Sequence, residues 1–179
     1  SAAAGPDRVI SVVNVSIEGR SKNGVLLFRD SLQDFFAPLS PTTFTFDPKV
    51  IYDQYADRFV VVTLEHIAGG SNPSSGNISR ILLAVSKTST PGDLSAADWH
   101  FHAIDGKAVI GGVDHWADYP GFAIDEEAIY VTANMFAFYG APTVFGVRLW
   151  IIDKGLSAGF YSGGATSVEV YDPYAEAGT

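Results

Sequence analysis

The sequence predicts an all-β chain assembled from repeated antiparallel four-stranded units. Three observations carry this. First, residues 47–65 and 118–136 say nearly the same thing twice. Asp47-Pro48-Lys49-Val50-Ile51-Tyr52-Asp53, a polar turn and Phe59-Val60-Val61-Val62-Thr63 are echoed by a second copy. That copy is Asp118-Tyr119-Pro120-Gly121-Phe122-Ala123-Ile124-Asp125, a polar turn and Ala128-Ile129-Tyr130-Val131-Thr132. A strand–turn–strand unit repeated at this spacing marks a stacked or radial architecture. Second, the apolar runs at 9–15, 25–28, 59–63, 81–85, 129–133 and 147–152 are short and β-branched or aromatic. Gly, Pro, Asn, Asp or Ser bounds each one, as expected of strands. Third, no long amphipathic helix is present.

Taken in order, residues 8–46 supply a divergent first unit. Within it Asn23-Gly24 signals a tight turn, because Gly accepts a positive φ without steric cost. Residues 31–36 read as a short helix. Thr43-Phe44-Thr45-Phe46 alternates as a half-buried strand does. The second unit has strands at 47–53, 59–65, 80–88 and 99–105, with a hairpin tip at 53–58. Between its strands, 69–76 reads as a mobile loop and 95–99 as a weak helix. Asp105-Gly106 is a second tight-turn signal. The third unit has strands at 122–125, 128–136, 145–153 and 167–171, with a tip at 125–127 and a helical turn at 153–158. Most strands are apolar on both faces, which suits sheets packed between other sheets, as in the blades of a β-propeller. The units fall at about 5–46, 47–117 and 118–179, within one domain spanning 1–179. Propellers close with roughly four to eight blades, so about three leave open edges that further blades or another chain must cover. The alternative is a β-sandwich of two duplicated halves.

Composition narrows the function classes. The 179 residues are 47% hydrophobic with a net charge of −9. That balance argues against nucleic acid as a partner, since no basic patch is available to neutralise phosphates. No cysteine is present, which removes disulfides and thiol chemistry. No apolar run approaches the roughly 20 residues that span a bilayer, so no membrane insertion is expected. Ser1-Ala2-Ala3-Ala4 is not a signal peptide. It reads either as the mature side of a cleavage site or as an expression scar.

Several stretches resemble the sialidase-like β-propeller domains of large secreted or cell-surface bacterial proteins. They are Gly5-Pro6-Asp7-Arg8-Val9-Ile10-Ser11-Val12-Val13-Asn14, Phe46-Asp47-Pro48-Lys49-Val50-Ile51-Tyr52-Asp53 with Arg58-Phe59, Leu83-Ala84-Val85-Ser86 with Pro91-Gly92, and Asp118-Tyr119-Pro120 with Tyr130-Val131-Thr132-Ala133-Asn134-Met135-Phe136. The resemblance covers most of residues 5–160; Phe59 stands where the family carries tryptophan. It implies a propeller fold and a secreted or cell-surface, extracellular location. Family domains continue for several more blades, so it also implies a fragment or a subunit completed by other chains. It implies no single activity.

Candidate chemistry concentrates near the repeat. Asp47 and Asp118 head what read as equivalent strands, so two carboxylates could converge on a propeller axis, as in glycan-acting hydrolases. The plainer reading is that each caps a turn before its proline. Asp114, His115 and Asp118 gather potential metal ligands; oxygen ligands suit Ca²⁺, whereas His115 suits a transition metal. His100 and His102 share a strand face and could join His115 around zinc. Trp116 and Tyr119, with Asn134, would suit sugar stacking, although such aromatics equally wedge between blades. Two glycosylation sequons occur. Asn14-Val15-Ser16 lies in an expected strand, whereas Asn77-Ile78-Ser79 lies in the expected mobile loop and so reads as accessible. The expectation is a non-catalytic protein-binding or carbohydrate-binding module, with a glycan-acting hydrolase as the alternative.

Overall fold

The computed structural model describes residues 1–140 and 144–176. They form three antiparallel sheets. The first contains β1 (Ala2–Ala4), β2 (Arg8–Val13), β3 (Ser16–Ser21) and β4 (Leu26–Ser31) in that order. The second contains β5 (Phe46–Asp53), β6 (Arg58–Ile67), β7 (Ile78–Ser86) and β8 (Trp99–Asp105), again in order. The third contains β9 (Ala108–Ile110), β10 (Val113–Ile124), β11 (Ala128–Ala137), β12 (Val144–Asp153) and β13 (Val168–Tyr171), in the order β13-β12-β11-β10-β9.

Strand periodicity dictates how the sheets stack. Successive side chains on a strand point to opposite faces, and the second sheet is apolar on both. Phe59, Val61, Leu82, Ala84 and Trp99 pack against Ile10, Val12, Ile17, Leu32, Phe35 and Phe36 of the first sheet and its linker. Their neighbours Val60, Val62, Leu64, Ile81, Leu83 and Val85 pack against Ile129, Val131, Ala133, Met135, Trp150 and Ile152 of the third. The second sheet is therefore the middle layer of three, which explains its doubly apolar strands.

Several local expectations change. The 31–36 segment is helical: α1 (Leu32–Phe35) is capped by Ser31 Oγ, which accepts from the Asp34 amide at 2.9 Å. Its Phe35 meets Trp99 and Phe101 edge-on at 5.1 and 5.2 Å, fastening the linker to β8. Residues 95–99 form turns rather than a helix, and the strand expected at Thr43–Phe46 begins only at Phe46. That segment is instead held by side chains, as described below. Asn23-Gly24 turns as expected, with Gly24 at φ 83, whereas at Asp105-Gly106 the Asp105 side chain accepts the Lys107 amide at 2.9 Å and Gly106 leads into β9. The third sheet starts earlier than expected, at β9, because Ala108–Ile110 pairs with the long β10. Among the described residues no helix is long and apolar enough to cross a membrane.

The outward faces of the two flanking sheets differ. On the first, Glu18 takes Arg20 at 2.8 Å and Arg29 at 2.7 Å. These two guanidinium groups hold the Glu18 carboxyl at about 2, well below its ordinary range. On the third, Ala123, Tyr130, Thr132, Leu149 and Ile151 alternate with the buried set and are partly or fully exposed, with the exposed carboxylates of Glu169, opposite Ile151, and Asp153, opposite Ala128, at the edge of the same face.

Candidate functional site

The repeat runs one residue out of step with its own aspartates. In the second sheet Phe46 faces Leu64 and Lys49 faces Val62, with a bulge between. In the third Asp118 faces Asn134 and Gly121 faces Thr132, again across a bulge. The counterpart of Asp118 is thus Phe46, and the counterpart of Asp47 is Tyr119. Backbone geometry agrees: Asp47 and Tyr119 both adopt φ 51, each immediately before a proline. The aspartates that do correspond are Asp53 and Asp125. Each accepts two amides of its own hairpin tip through Oδ1, Tyr55 and Ala56 in one case and Glu127 and Ala128 in the other. Equivalence of Asp47 and Asp118 is therefore corrected: both copies carry the same bulge, and Asp47 directly precedes its proline whereas Tyr119 separates Asp118 from Pro120.

The two side chains nevertheless influence one another: the Asp47 charge bears on the Asp118 carboxyl. Burial pushes the Asp118 carboxyl upward, the Tyr119 amide draws it down through a 2.9 Å bond to Oδ1, and the Asp47 carboxyl pushes it up again. The net shift is upward. Behind the pair, His66 stacks on Trp116 at 4.3 Å and 16°. Burial depresses His66, opposed by the charges of Asp118 and Glu65. Phe46 and Phe136 complete the aromatic wall at 5.9 and 5.7 Å from Trp116. Trp116 is thus half-buried in a ring stack rather than free for a ligand, and Asn134 lies beside Asp118 in the ladder.

This pair predicts a pH effect. A carboxyl raised in the folded state contributes relative stability that is complete below its unfolded pKa and lost as pH rises through the folded one. Asp118→Asn should therefore raise thermal stability at pH 7, by about 0.5 kcal/mol after allowing for solvent screening. The gain should vanish at acid pH, and thermal melts of both proteins across pH check this.

Tyr119 is 68% exposed and lines an open cleft of about 380 Å³ with Asn14, Asp47, Pro48 and Lys49. The Lys49 ammonium sits 5.2 Å from the centre of the Tyr119 ring. Asn14, in the tight turn between β2 and β3, accepts the Asp47 amide at 3.0 Å. All three sheets contribute to this cleft. Asn14 therefore occupies an exposed turn and not the expected strand.

The metal candidates separate. Asp114 is 3% exposed and spent on the 69–77 loop. Its Oδ2 accepts the Ser74 amide and Asn77 Nδ2, each at 2.9 Å, with Lys107 at 3.7 Å. These contacts, the Ser74 amide foremost, hold its carboxyl below the ordinary range. His115 points to the opposite strand face, with Nδ1 2.8 Å from the Val113 carbonyl. Among the described residues no three of His, Asp and Glu gather where they could hold a metal ion. Asp114, His115 and Asp118 therefore form no such set, and neither do His100, His102 and His115. His100 and His102 do share a face, lowered by burial, where they meet the turn at Phe160–Ser162.

The 69–76 loop, expected to be mobile, is pinned. Asn77 is 2% exposed; its Oδ1 accepts the Gly69 amide at 2.8 Å and its Nδ2 donates to the Ser71 carbonyl at 2.9 Å. Asn72 closes a second pair with the Asp114 backbone at 2.7 and 3.0 Å. A Cβ at Gly69 would lie 2.4 Å from the Gly76 backbone, so the two ends can cross only through glycine. The sequon at Asn77 is therefore internal to the loop and not accessible.

At the opposite end of the sheets lies a buried ionic cluster that sequence reasoning missed. Lys154, 1% exposed, pairs with Asp53 at 2.7 Å and donates to the Asp125 carbonyl. Tyr161 donates to the same Asp53 Oδ2 at 2.8 Å. Burial, followed by Asp53, pushes the Tyr161 phenol far above its ordinary range. His66, Glu65, Lys49 and Asn14 were also missed as site residues. Comparison with protein-family models, curated proteins and solved structures finds no match to this chain.

Proposed function

We propose that the chain is a non-catalytic binding and structural module of a secreted or cell-surface protein, built from adjoining β-propeller blades. The outer face of its third sheet is covered by a further antiparallel sheet, from a partner or from more of the same polypeptide. The observation that carries this reading is the contrast between the flanking faces. The first sheet ends in the Arg20–Glu18–Arg29 network. The third offers a central strip of Ala123, Tyr130, Thr132, Leu149 and Ile151, edged by Glu169 and Asp153. Apolar patches rimmed by polar residues mark interaction sites. The succession of like sheets favours another sheet as the occupant.

Sedimentation at low concentration tests it. The isolated chain should run heavier than its 19.1 kDa monomer, because the face finds a copy of itself when its partner is missing. Leu149→Lys with Ile151→Lys should restore the monomer. A folded wild-type monomer with no exposed-surface dye binding sinks the reading.

The convergence of Asp47 and Asp118 favours a second reading, a glycan-acting hydrolase. Glycosidase carboxyl pairs stand about 5–9.5 Å apart, leaving room for the sugar or a water. Here the Asp47 charge helps to push the Asp118 carboxyl upward, the direction that a proton-donating acid requires.

A further inference from the structure

We propose that the cleft at Tyr119 binds a free zwitterion, an α-amino acid with an apolar or aromatic side chain. Two opposite charges enter this cleft from one strand, Asp47 and Lys49. Among the described residues they close no ion pair with each other or with any third group. Asp47 has a second carboxyl, Asp118, as its charged neighbour and Lys49 lies over the Tyr119 ring, so no opposite charge neutralises either group. An α-amino acid carries the complementary pair, an ammonium for Asp47 and a carboxylate for Lys49.

The remaining lining fits the rest of such a molecule. Pro48, Val13 and the exposed Tyr119 ring make an apolar wall for its side chain. Asn14 has its Oδ1 engaged with the Asp47 amide, which leaves its Nδ2 hydrogens for the ligand carboxylate. Ser1 closes one side, its backbone nitrogen bonded to the Val12 carbonyl at 3.0 Å.

The backbone gives independent support. Asp47 and Tyr119 are two of the four described non-glycine residues with positive φ, each at 51. Such a conformation costs of the order of 1 kcal/mol at each residue and persists where surrounding structure enforces it, commonly at binding sites. Both residues are anchored by side chains, Asp47 by Asn14 at 3.0 Å and Tyr119 by Asp118 at 2.9 Å. These strained residues, from two different sheets, present their side chains to one cleft. The site uses no residue of the third sheet's outer face, so its fate is separate from that of the module reading.

Calorimetric titration with phenylalanine and leucine tests the proposal. Phenethylamine, 3-phenylpropionate and N-acetylphenylalanine amide serve as analogues lacking one or both charges. A charged hydrogen bond contributes about 1.5–3 kcal/mol. Each single-charge analogue should therefore bind roughly 10- to 150-fold more weakly than phenylalanine, and the uncharged one more weakly still. Asp47→Asn, in which asparagine tolerates the left-handed backbone, should abolish the advantage of the ammonium alone. Lys49→Met should abolish that of the carboxylate alone. Tyr119→Phe should keep binding and Tyr119→Ala should lose about threefold to tenfold of it. Absence of binding by both amino acids, or equal binding of the uncharged analogue, overturns the proposal. So does a charge preference that survives in both Asp47→Asn and Lys49→Met.

Discussion

Replacing Lys154 by alanine is expected to destabilise the fold by about 3–5 kcal/mol, the cost of leaving a buried charge without its partner. Asp53 is 1% exposed and has its Oδ2 engaged by Lys154 and Tyr161 only. Without the ammonium, its charge keeps the phenol and, through Oδ1, the Tyr55 and Ala56 amides, but loses its buried counter-charge. The same ammonium lies 5.5 Å from the Tyr161 ring centre and 5.4 Å from that of Tyr55, and Arg58 donates to the Tyr161 carbonyl. One lysine thus ties the hairpin tip of the second sheet to the tip of the third, through Asp125, and to the segment following β12. Denaturant melts should show the loss, with a midpoint shift of roughly 10 °C in heat. Lys154→Met should cost nearly as much, since methionine restores volume but not charge. Asp53→Asn in the Lys154→Met background should cost much less than in the wild type. Additive losses, or a Lys154→Ala cost below about 1 kcal/mol, would show that the cluster is not what joins the two sheets.

The second large effect is expected at Glu65. Its side chain is wholly buried and accepts the Thr42 and Thr43 amides at 2.6 and 3.0 Å through Oε1. Oε2 takes Arg80 Nε at 2.7 Å, and Arg80 continues to the Leu39 and Ser40 carbonyls at 3.0 and 3.3 Å. This chain of charged hydrogen bonds holds the linker between the first and second sheets where the sequence suggested an independent strand. Burial pushes the Glu65 carboxyl up, but the Thr43 amide, Arg80 and the Thr42 amide outweigh it, and the net shift is downward. A carboxyl lowered in the folded state contributes stability present above its unfolded pKa and lost as pH falls through the folded one. Glu65→Gln should cost about 2–4 kcal/mol at pH 7 and less in acid, flattening the acid limb of the stability profile. Amide exchange over 39–43 should accelerate in the variant. An unchanged exchange pattern would place the linker's order elsewhere.

Strands whose two faces are both buried were legible, because β6 and β7 carry unbroken valine, leucine and isoleucine. β3 was not: Ser-Ile-Glu-Gly-Arg-Ser alternates a buried face with Glu18 and Arg20, and its glycine makes room for the Phe28 ring, which lies 2.2 Å from where a Cβ would be. The repeat was visible, yet letter matching paired Asp47 with Asp118, whereas hydrogen-bond register pairs Asp47 with Tyr119. The bulge is the same in both copies, and it is the prolines, Pro48 and Pro120, that correspond. Of the site, the Asp47, Asp118 and Tyr119 positions were legible. The roles of Lys49, Asn14 and His66 were not, since each depends on which sheet lies opposite. The Lys154 cluster was invisible for the same reason: Tyr161 and Asp53 are 108 residues apart.

Asn77 has a practical consequence for how the protein is made. Its amide is consumed by Gly69, Ser71 and Asp114, so an oligosaccharide attached there is incompatible with the closed loop. In a eukaryotic secretory host the transferase reaches the nascent chain before that loop shuts. Any occupied molecule would then be diverted to quality control, while unmodified ones mature. Yield from such a host would be limited by occupancy at this one asparagine, and Ser79→Ala, which also removes the hydroxyl that receives the Ala117 amide at 3.1 Å, would exchange that loss for a weaker joint between the second and third sheets. A bacterial host avoids the choice altogether.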